Sequence, residues 1–161
     1  MMLSITLTGE GFMISDIRKV YNKYKNYDYI DPDFDNYHIK TPKEFDSLHG
    51  GICWDFVGPI AEELDRYDIP WKCYYTGIHK GNRTLATHTY IIANNKFWIE
   101  CSWQKYKGTN VVSSYRDVED LLLEEYRGDK AYTVEYDPRK TYDMTDEEFF
   151  DYLEKNGKEL F

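Results

Sequence analysis

The chain has 161 residues, enough for one domain with a substantial hydrophobic core. Its 29 acidic and 20 basic residues give a formal net charge of −9, which disfavours nucleic-acid and anionic-membrane partners because both need a basic surface. The three cysteines fit a reducing compartment, and we find neither a signal-peptide pattern nor an apolar run that could span a bilayer. We therefore expect a single cytoplasmic domain over 1–161, with no nucleic acid and no membrane as partner.

The first part of the chain predicts one helix and a long connection. Residues 1–12 alternate weakly and indicate a short strand or a tail. Ser15 can cap a helix that runs to about Tyr27, with apolar residues at helical spacing. The segment 28–47 is rich in Asp, Pro and Tyr, which indicates an irregular connection. This connection either walls one side of a cleft or only packs on the surface.

A second helix is expected from Cys53 to about Tyr67. Four apolar residues fall at i, i+4, i+7 and i+11, which is one stripe of a helix. They are Cys53, Val57, Ile60 and Leu64. Gly58-Pro59 lies in the middle of this pattern, where proline removes a backbone hydrogen bond. We expect a kink or a break at that point.

The remainder of the chain predicts strands followed by helices. The expected strands are 71–76, 84–93, 96–103 and 131–136, and the expected helices are 114–126 and a last one that opens with a capping box at Thr145 and ends near Gly157. The segment Gly77–Arg83 is expected to be a loop that contains His79. This order predicts an α+β fold in which helices pack on an antiparallel sheet.

The strongest candidate for chemistry is Cys53, in the first turn of the second helix. A helix N-terminus presents unpaired N–H groups and the positive end of the helix dipole, and both favour a thiolate. Gly50 and Gly51 let the chain turn tightly into this helix and leave space over the sulfur. These features predict a nucleophile. The alternative is an inert buried thiol, since free cysteine is among the most buried residue types.

A candidate base and its partner lie on opposite arms of the hairpin formed by the second and third expected strands. A three-residue loop would pair Ile92 with Lys96, and would then place His88 opposite Glu100 on the same face. The carboxylate could accept a hydrogen bond from one imidazole nitrogen and leave the other free for a thiol. A two-residue loop would instead turn His88 and Glu100 to opposite faces. An ordinary His–Glu contact without function is the alternative interpretation.

Cys53, His88 and Glu100 together match the template of nucleophile, base and orienting residue. Trp54, Trp98 and Trp103 are candidates for lining a substrate groove, of which Trp98 is favoured because it shares a face with His88 and Glu100. Core packing is the alternative for all three. Gly51 is included in the substrate-binding set because it leaves the sulfur accessible.

The other cysteines and histidines are not expected to take part in catalysis. Cys73 and Cys101 are expected to pack in the core, and His49 to be solvated. A zinc site would have to combine Cys53, His79, His88 and Cys101, which lack the usual close ligand pairs. No nucleotide-binding motif occurs, so neither a metal nor a cofactor is expected.

The residues around these candidates resemble the transglutaminase-like superfamily. Four motifs carry the resemblance: Gly51-Ile52-Cys53-Trp54-Asp55-Phe56, Asp68-Ile69-Pro70-Trp71-Lys72, Thr87-His88-Thr89-Tyr90 and Trp98-Ile99-Glu100-Cys101-Ser102-Trp103. Members have a G-x-C helix start, a G-I-P-x-R-like turn, a histidine on one strand and an acid on the next. The resemblance covers about residues 45–108. Here Glu100 takes the place of the usual Asp, and Asp68 that of the glycine in the turn.

The resemblance implies a papain-like fold, in which the Cys-bearing helix packs against an antiparallel sheet with flanking helices. It also implies that Cys53 is the nucleophile, His88 the general base and acid, and Glu100 the orienting residue. The first motif is similar to the papain protease signature as well, but there the histidine lies some 130–150 residues beyond the cysteine. A bacterial cell-wall peptidase group with a compact Cys–His hairpin is more similar, although the Ile69-Pro70 turn favours the transglutaminase-like interpretation.

The leading hypothesis is a cysteine acyl-transfer enzyme that acts on amide bonds of a protein or peptide through a thioester. Resolution of the thioester by water would make it a peptidase or deamidase, and resolution by an amine a transglutaminase. The alternative is a catalytically inactive transglutaminase-like fold that serves as a protein-binding module. The acidic composition and the 16 tyrosines fit such a module.

Overall fold

The structure is a computed structural model, and it describes residues 9–161, with side chains from Gly11 onward. Its helices are α1 (Gly9–Tyr24), α2 (Pro42–Leu48), α3 (Cys53–Arg66), α4 (Tyr115–Tyr126) and α5 (Asp146–Asn156). Its strands are β1 (Asp28–Tyr29), β2 (Gly50–Gly51), β3 (Trp71–Lys80), β4 (Arg83–Ala93), β5 (Phe97–Glu100), β6 (Gly108–Val111), β7 (Lys130–Tyr136) and β8 (Lys158–Leu160).

The main sheet has six strands in the order β6-β5-β4-β3-β7-β8, and all its neighbours are antiparallel. The two-residue strands β1 and β2 form a separate parallel pair. Helices and an antiparallel sheet in one structure confirm the prediction of an α+β fold.

Side chains that alternate along the strands enter two hydrophobic clusters, one on each face of the sheet. On one face, Tyr75 of β3 and Ile91 of β4 pack with α1, α2, α3 and α5. On the other face, Tyr74 and Tyr90 pack with Leu122 of α4. The Cys-bearing helix is therefore buried against one face, and α4 covers the other.

Helix α3 runs through Pro59 to Arg66, so that of the two expected outcomes, a kink or a break, the break is absent. Proline removes only one intrahelical donor, and the buried stripe predicted from the sequence holds the rest of the helix against the core. The residue before this proline must be small, because a Cβ on Gly58 would lie 2.6 Å from the ring of Tyr142.

Three other expectations need correction. Helix α1 begins at Gly9, not at Ser15; the strand or tail expected over 1–12 otherwise lies outside the described residues. The connection 28–47 contains α2, whose capping box joins Thr41 and Glu44 and could have been read from the sequence. Strand β3 continues to Lys80, so His79 lies on a strand and the expected loop shrinks to a turn.

The last two helices begin about where the sequence predicted, α4 directly after Ser114 and α5 at the capping box of Thr145. Ser114 precedes α4 and accepts a hydrogen bond from the backbone N–H of Arg116. Thr145 and Glu148 form the capping box of α5. These ends follow from local sequence because a cap depends only on residues within one turn.

Candidate active site

The hairpin between β4 and β5 has a three-residue loop, Asn94–Lys96, with Ala93 paired to Phe97. The predicted pairing of Ile92 with Lys96 is therefore wrong by two residues, since Ile92 pairs with Trp98. Asn94 and Asn95 both adopt positive φ angles, of 51° and 55°, which asparagine tolerates better than most residues. The turn consequently begins one residue later than expected.

A shift of two residues keeps every side chain on its predicted face, because the side-chain period of a strand is two. The alternative two-residue loop would have moved the register by one and separated the candidate base from its partner. Instead His88 Nε2 and Glu100 Oε1 form a short hydrogen bond, and both residues are buried. The predicted contact between His88 and Glu100 is therefore present, although the predicted strand register is wrong by two residues.

Glu100 is held by three further hydrogen bonds. Its Oε2 atom accepts from the backbone N–H of Ser102 at 2.9 Å, from Ser102 Oγ at 3.0 Å and from the backbone N–H of Trp103 at 3.0 Å. Both carboxylate oxygens therefore have partners, which is the usual condition for burying a charge. These bonds to Oε2 hold the carboxylate in the orientation in which Oε1 contacts the imidazole.

Cys53 is the first residue of α3, and its thiol lines the same cavity as the ring of His88, on whose pKa it acts as a neighbour. Because Nε2 is bonded to Glu100, the other ring nitrogen, Nδ1, is the one left for the sulfur. The structure thus brings together all three residues that the sequence predicted as catalytic.

The electrostatics of this group favour a protonated imidazole. Burial alone lowers the pKa of His88, but the Glu100 carboxylate and the neighbouring Cys53 outweigh it and raise this pKa to about 10. Burial likewise acts to raise the pKa of Glu100, yet the His88 cation and the backbone N–H donors bring the pKa below its ordinary value. An imidazolium held by a carboxylate is the partner that a thiolate nucleophile needs.

The start of α3 is fixed by Asp55, a fully buried residue to which the sequence analysis gave no role. Its carboxylate accepts hydrogen bonds from Tyr37 Oη at 2.9 Å, from the Lys40 backbone N–H at 2.9 Å and from the Ile52 backbone N–H at 2.9 Å. Lys40 Nζ adds an ion pair at 3.3 Å. The segment before α2 is thereby tied to the turn that presents the cysteine.

The two glycines before Cys53 allow a close approach of two chain segments. A Cβ on Gly50 would lie 2.1 Å from the carbonyl oxygen of Asp28, and one on Gly51 would lie 2.5 Å from Asp55 Oδ2. Gly51 pairs with Tyr29 in the parallel β1–β2 bridge. The predicted turn into the helix is present; Gly50 also admits the neighbouring strand β1, and Gly51 leaves room for the Asp55 side chain.

Cys53 and His88 open into a cavity of about 210 Å³. The other lining residues are Tyr29, Thr87, Ser102, Trp103, Leu122 and Tyr126. Tyr29 comes from the connection 28–47, so this segment does contribute to the wall of a cleft. Tyr29 and Tyr126 were missed by the sequence analysis, because nothing local connects them to Cys53.

Two of the tryptophans predicted for a substrate groove do not line this cavity. Trp54 packs against Phe149 and Phe150, with ring centroids 4.7 and 5.5 Å away. Trp98 is 1% exposed and lies in the cluster under α4. Both side chains pack in the hydrophobic core, which was the alternative interpretation, because large aromatic side chains fill the space between helices and sheet. Trp103 is the one of the three that lines the cavity.

The discounted residues lie elsewhere. Cys73 and Cys101 are buried, and burial raises the pKa of both thiols. His49 is exposed and stacks on Tyr27. Among the described residues, one group has ligand atoms close enough for a metal ion: His38, Glu44 and Asp143, within 4.8 Å of one another. This group is exposed or half-buried and shares no residue with the cavity.

Comparisons with protein-family models, with curated proteins and with solved structures gave no match. Over residues 9–161, no helix is long and apolar enough to cross a membrane.

Proposed function

We propose that this protein is a cysteine acyl-transfer enzyme that acts on amide bonds. Cys53 is the nucleophile, His88 the general base and acid, and Glu100 the residue that orients the imidazole. The observation that carries the proposal is that a thiol at the first residue of a helix shares one cavity with a buried imidazole, and that this imidazole is hydrogen-bonded to a buried carboxylate. This is the arrangement of an activated nucleophile.

In the proposed mechanism, the Cys53 sulfur attacks the carbonyl carbon of an amide, and the carbonyl electron pair moves onto oxygen. His88, holding the proton from the thiol, protonates the leaving nitrogen as the C–N bond breaks, which leaves a thioester on Cys53. Glu100 keeps Nε2 occupied throughout, so that the other ring nitrogen stays directed at the reacting atoms. A second nucleophile then releases the acyl group with the aid of His88.

Hydrolysis is the simplest second step, since Tyr29 and Tyr126 at the cavity are 56% and 43% exposed and leave the thioester accessible to water. The protein would then be a peptidase or a deamidase. Transfer to an amine, as in a transglutaminase, requires an acceptor that competes with water. A papain-like, transglutaminase-like fold is part of the proposal, and its support is a Cys-bearing helix packed on an antiparallel sheet whose adjacent strands carry His and Glu.

The rival interpretation is a protein-binding module that keeps the fold without the chemistry. Burial of His88 and Glu100, 7% and 2% exposed, supports the enzyme. Burying an ion pair costs free energy that well-packed apolar residues would not, so a pure binding module has no need to retain it.

A denatured protein that contains Gln and Lys serves as the test substrate, with three readouts measured in parallel. New α-amino groups report a peptidase, released ammonia a deamidase, and incorporation of a fluorescent primary amine a transglutaminase. We expect activity in one of them, and a comparable collapse in Cys53→Ala and His88→Ala, because residues that act as a unit are not additive.

Acylation by p-nitrophenyl acetate provides a second readout that does not depend on the choice of protein substrate. If the full chain is acylated no faster than Cys53→Ala, and none of the three products forms, the proposal is wrong.

A further inference from the structure

An acyl-transfer site needs more than one hydrogen-bond donor at the position where the carbonyl oxygen becomes negative. The backbone N–H of Cys53 is available, because the first N–H groups of a helix have no intrahelical acceptor. The preceding N–H, of Ile52, is bonded to Asp55. A second donor must therefore come from another part of the cavity wall.

One hydroxyl group on that wall already has an acceptor, because Ser102 Oγ donates to Glu100. Thr87 adjoins His88 on β4, so its side chain leaves the strand on the face opposite to the imidazole.

The phenol groups of Tyr29 and Tyr126 and the indole N–H of Trp103 remain as candidate donors. The ring of Trp103 is packed between Trp98 and Tyr106, with centroids 6.1 and 4.5 Å away, and so has less freedom to move onto a bound carbonyl.

Tyr29 is held next to the cysteine by the backbone. In the β1–β2 bridge it pairs with Gly51, two residues before Cys53. Hydrogen bonds on both sides of the pair fix this register: the Asp28 N–H donates to the His49 carbonyl at 2.8 Å, and the Ile30 N–H to the Gly51 carbonyl at 3.0 Å. Tyr126, by contrast, belongs to the last turn of α4 and has no such tie to the start of α3.

The phenol of Tyr29 also stays protonated at neutral pH. Partial burial, followed by the neighbouring Cys53, raises the pKa of Tyr29 to about 12. A phenol that keeps its proton remains a hydrogen-bond donor. Its ring is half exposed, so the hydroxyl has room to move onto a bound carbonyl.

We propose that Tyr29 Oη is the second oxyanion donor, acting with the backbone N–H of Cys53 on the carbonyl oxygen of the substrate. The inference rests on the proposed function. In the step concerned, a bond forms between the Cys53 sulfur and the carbonyl carbon, and the carbonyl π pair moves to oxygen. Tyr29 stabilises that oxygen by a hydrogen bond without transferring its proton. The pair returns as the leaving group departs.

The test compares two reactions of Cys53 on the full chain. Acylation by p-nitrophenyl acetate passes through an oxyanion, forming the C–S bond and breaking the C–O bond to p-nitrophenolate. Alkylation by iodoacetamide displaces iodide at a saturated carbon and forms no oxyanion. We expect Tyr29→Phe to lower the acylation rate constant by roughly 10²-fold, as removal of one oxyanion donor does, and to leave alkylation unchanged.

The unchanged alkylation rate is also the evidence that the variant is folded around Cys53. Tyr67→Phe, at the other end of α3, is the matched control and should alter neither rate. Full acylation of Tyr29→Phe overturns the assignment, as does an equal fall of both rates, or a larger loss in Tyr126→Phe. Failure of the proposed function looks different: wild-type protein would then be acylated no faster than Cys53→Ala.

Discussion

His88 and Glu100 are hydrogen-bonded across two strands although the strand register does not place them opposite each other. Ile91 pairs with Ile99, and extending that register by one residue would put Glu100 opposite Tyr90. The two residues are therefore diagonal neighbours, which lie roughly 7–8 Å apart, a separation within reach of a long side chain. This geometry gives a reason for the length of the side chain at position 100.

The diagonal predicts that Glu100→Asp is not a conservative change. The shorter side chain should lose the bond to His88 while keeping its negative charge. Acylation of Cys53 by p-nitrophenyl acetate should fall by about 10²-fold or more, the lower range for loss of a general base. Glu100→Gln, which keeps the length and loses the charge, separates reach from charge. An aspartate variant as fast as wild type would contradict the role of side-chain length.

The three cysteines should differ in their reaction with iodoacetamide under native conditions. All three are buried, but Cys53 lines the cavity, whereas burial raises the thiol pKa of Cys73 and Cys101. Mass spectrometry of briefly treated protein should find the adduct on Cys53 first. The urea-denatured chain is the control, in which all three should react alike. Modification of Cys73 or Cys101 at the rate of Cys53 in folded protein would show that the cavity does not expose this thiol.

The His88 environment predicts how stability depends on pH. Its folded pKa, about 10, lies above its unfolded pKa of about 6.5, so the folded state binds this proton more tightly. The stabilisation is complete below the unfolded pKa and is lost as pH rises through the folded pKa. Between pH 7 and 9, one such group lowers the free energy of unfolding by at most about 1.4 kcal/mol per pH unit.

Urea denaturation at pH 7, 8 and 9 measures this slope. His88→Asn provides the comparison, since all other titrating groups remain. The free energy of unfolding should fall more steeply with rising pH in wild-type protein than in the variant. Parallel curves for the two proteins would mean that His88 is not held as a cation in the folded state.

Asp55→Asn tests the anchor at the start of α3. The amide can keep one acceptor, but it loses the charge that binds Lys40 and the acceptor for the Ile52 N–H. We expect a loss of about 1–3 kcal/mol in the free energy of unfolding, the usual cost of leaving a buried polar group unsatisfied.

Asp151→Asn is the matched control on the surface, because its ion pair with Lys155 is exposed and should contribute less than about 1 kcal/mol. Equal losses in the two variants would contradict a special role for Asp55. Since the anchor presents Cys53, the alkylation rate of Asp55→Asn should change as well.

The sequence alone determined those features that depend on neighbours within a few residues. The buried stripe of α3 and the capping box at Thr145 follow from helical spacing, and they were predicted correctly. The shared face of His88 and Glu100 also followed, because it depends only on an even offset between two strands joined by a short turn. The exact pairing did not, since two asparagines with positive φ moved the turn by one residue.

Only the tertiary structure decided which distant residues meet. Nothing near Asp55 in the sequence indicates Tyr37 and Lys40 as its partners, and nothing near Cys53 indicates Tyr29 in the wall of the cavity. In the tertiary structure Trp54 and Trp98 lie in the core and not in the expected groove. The physical reason is that local periodicity states which face of an element is apolar, whereas the partner of that face is set by how all the elements pack together.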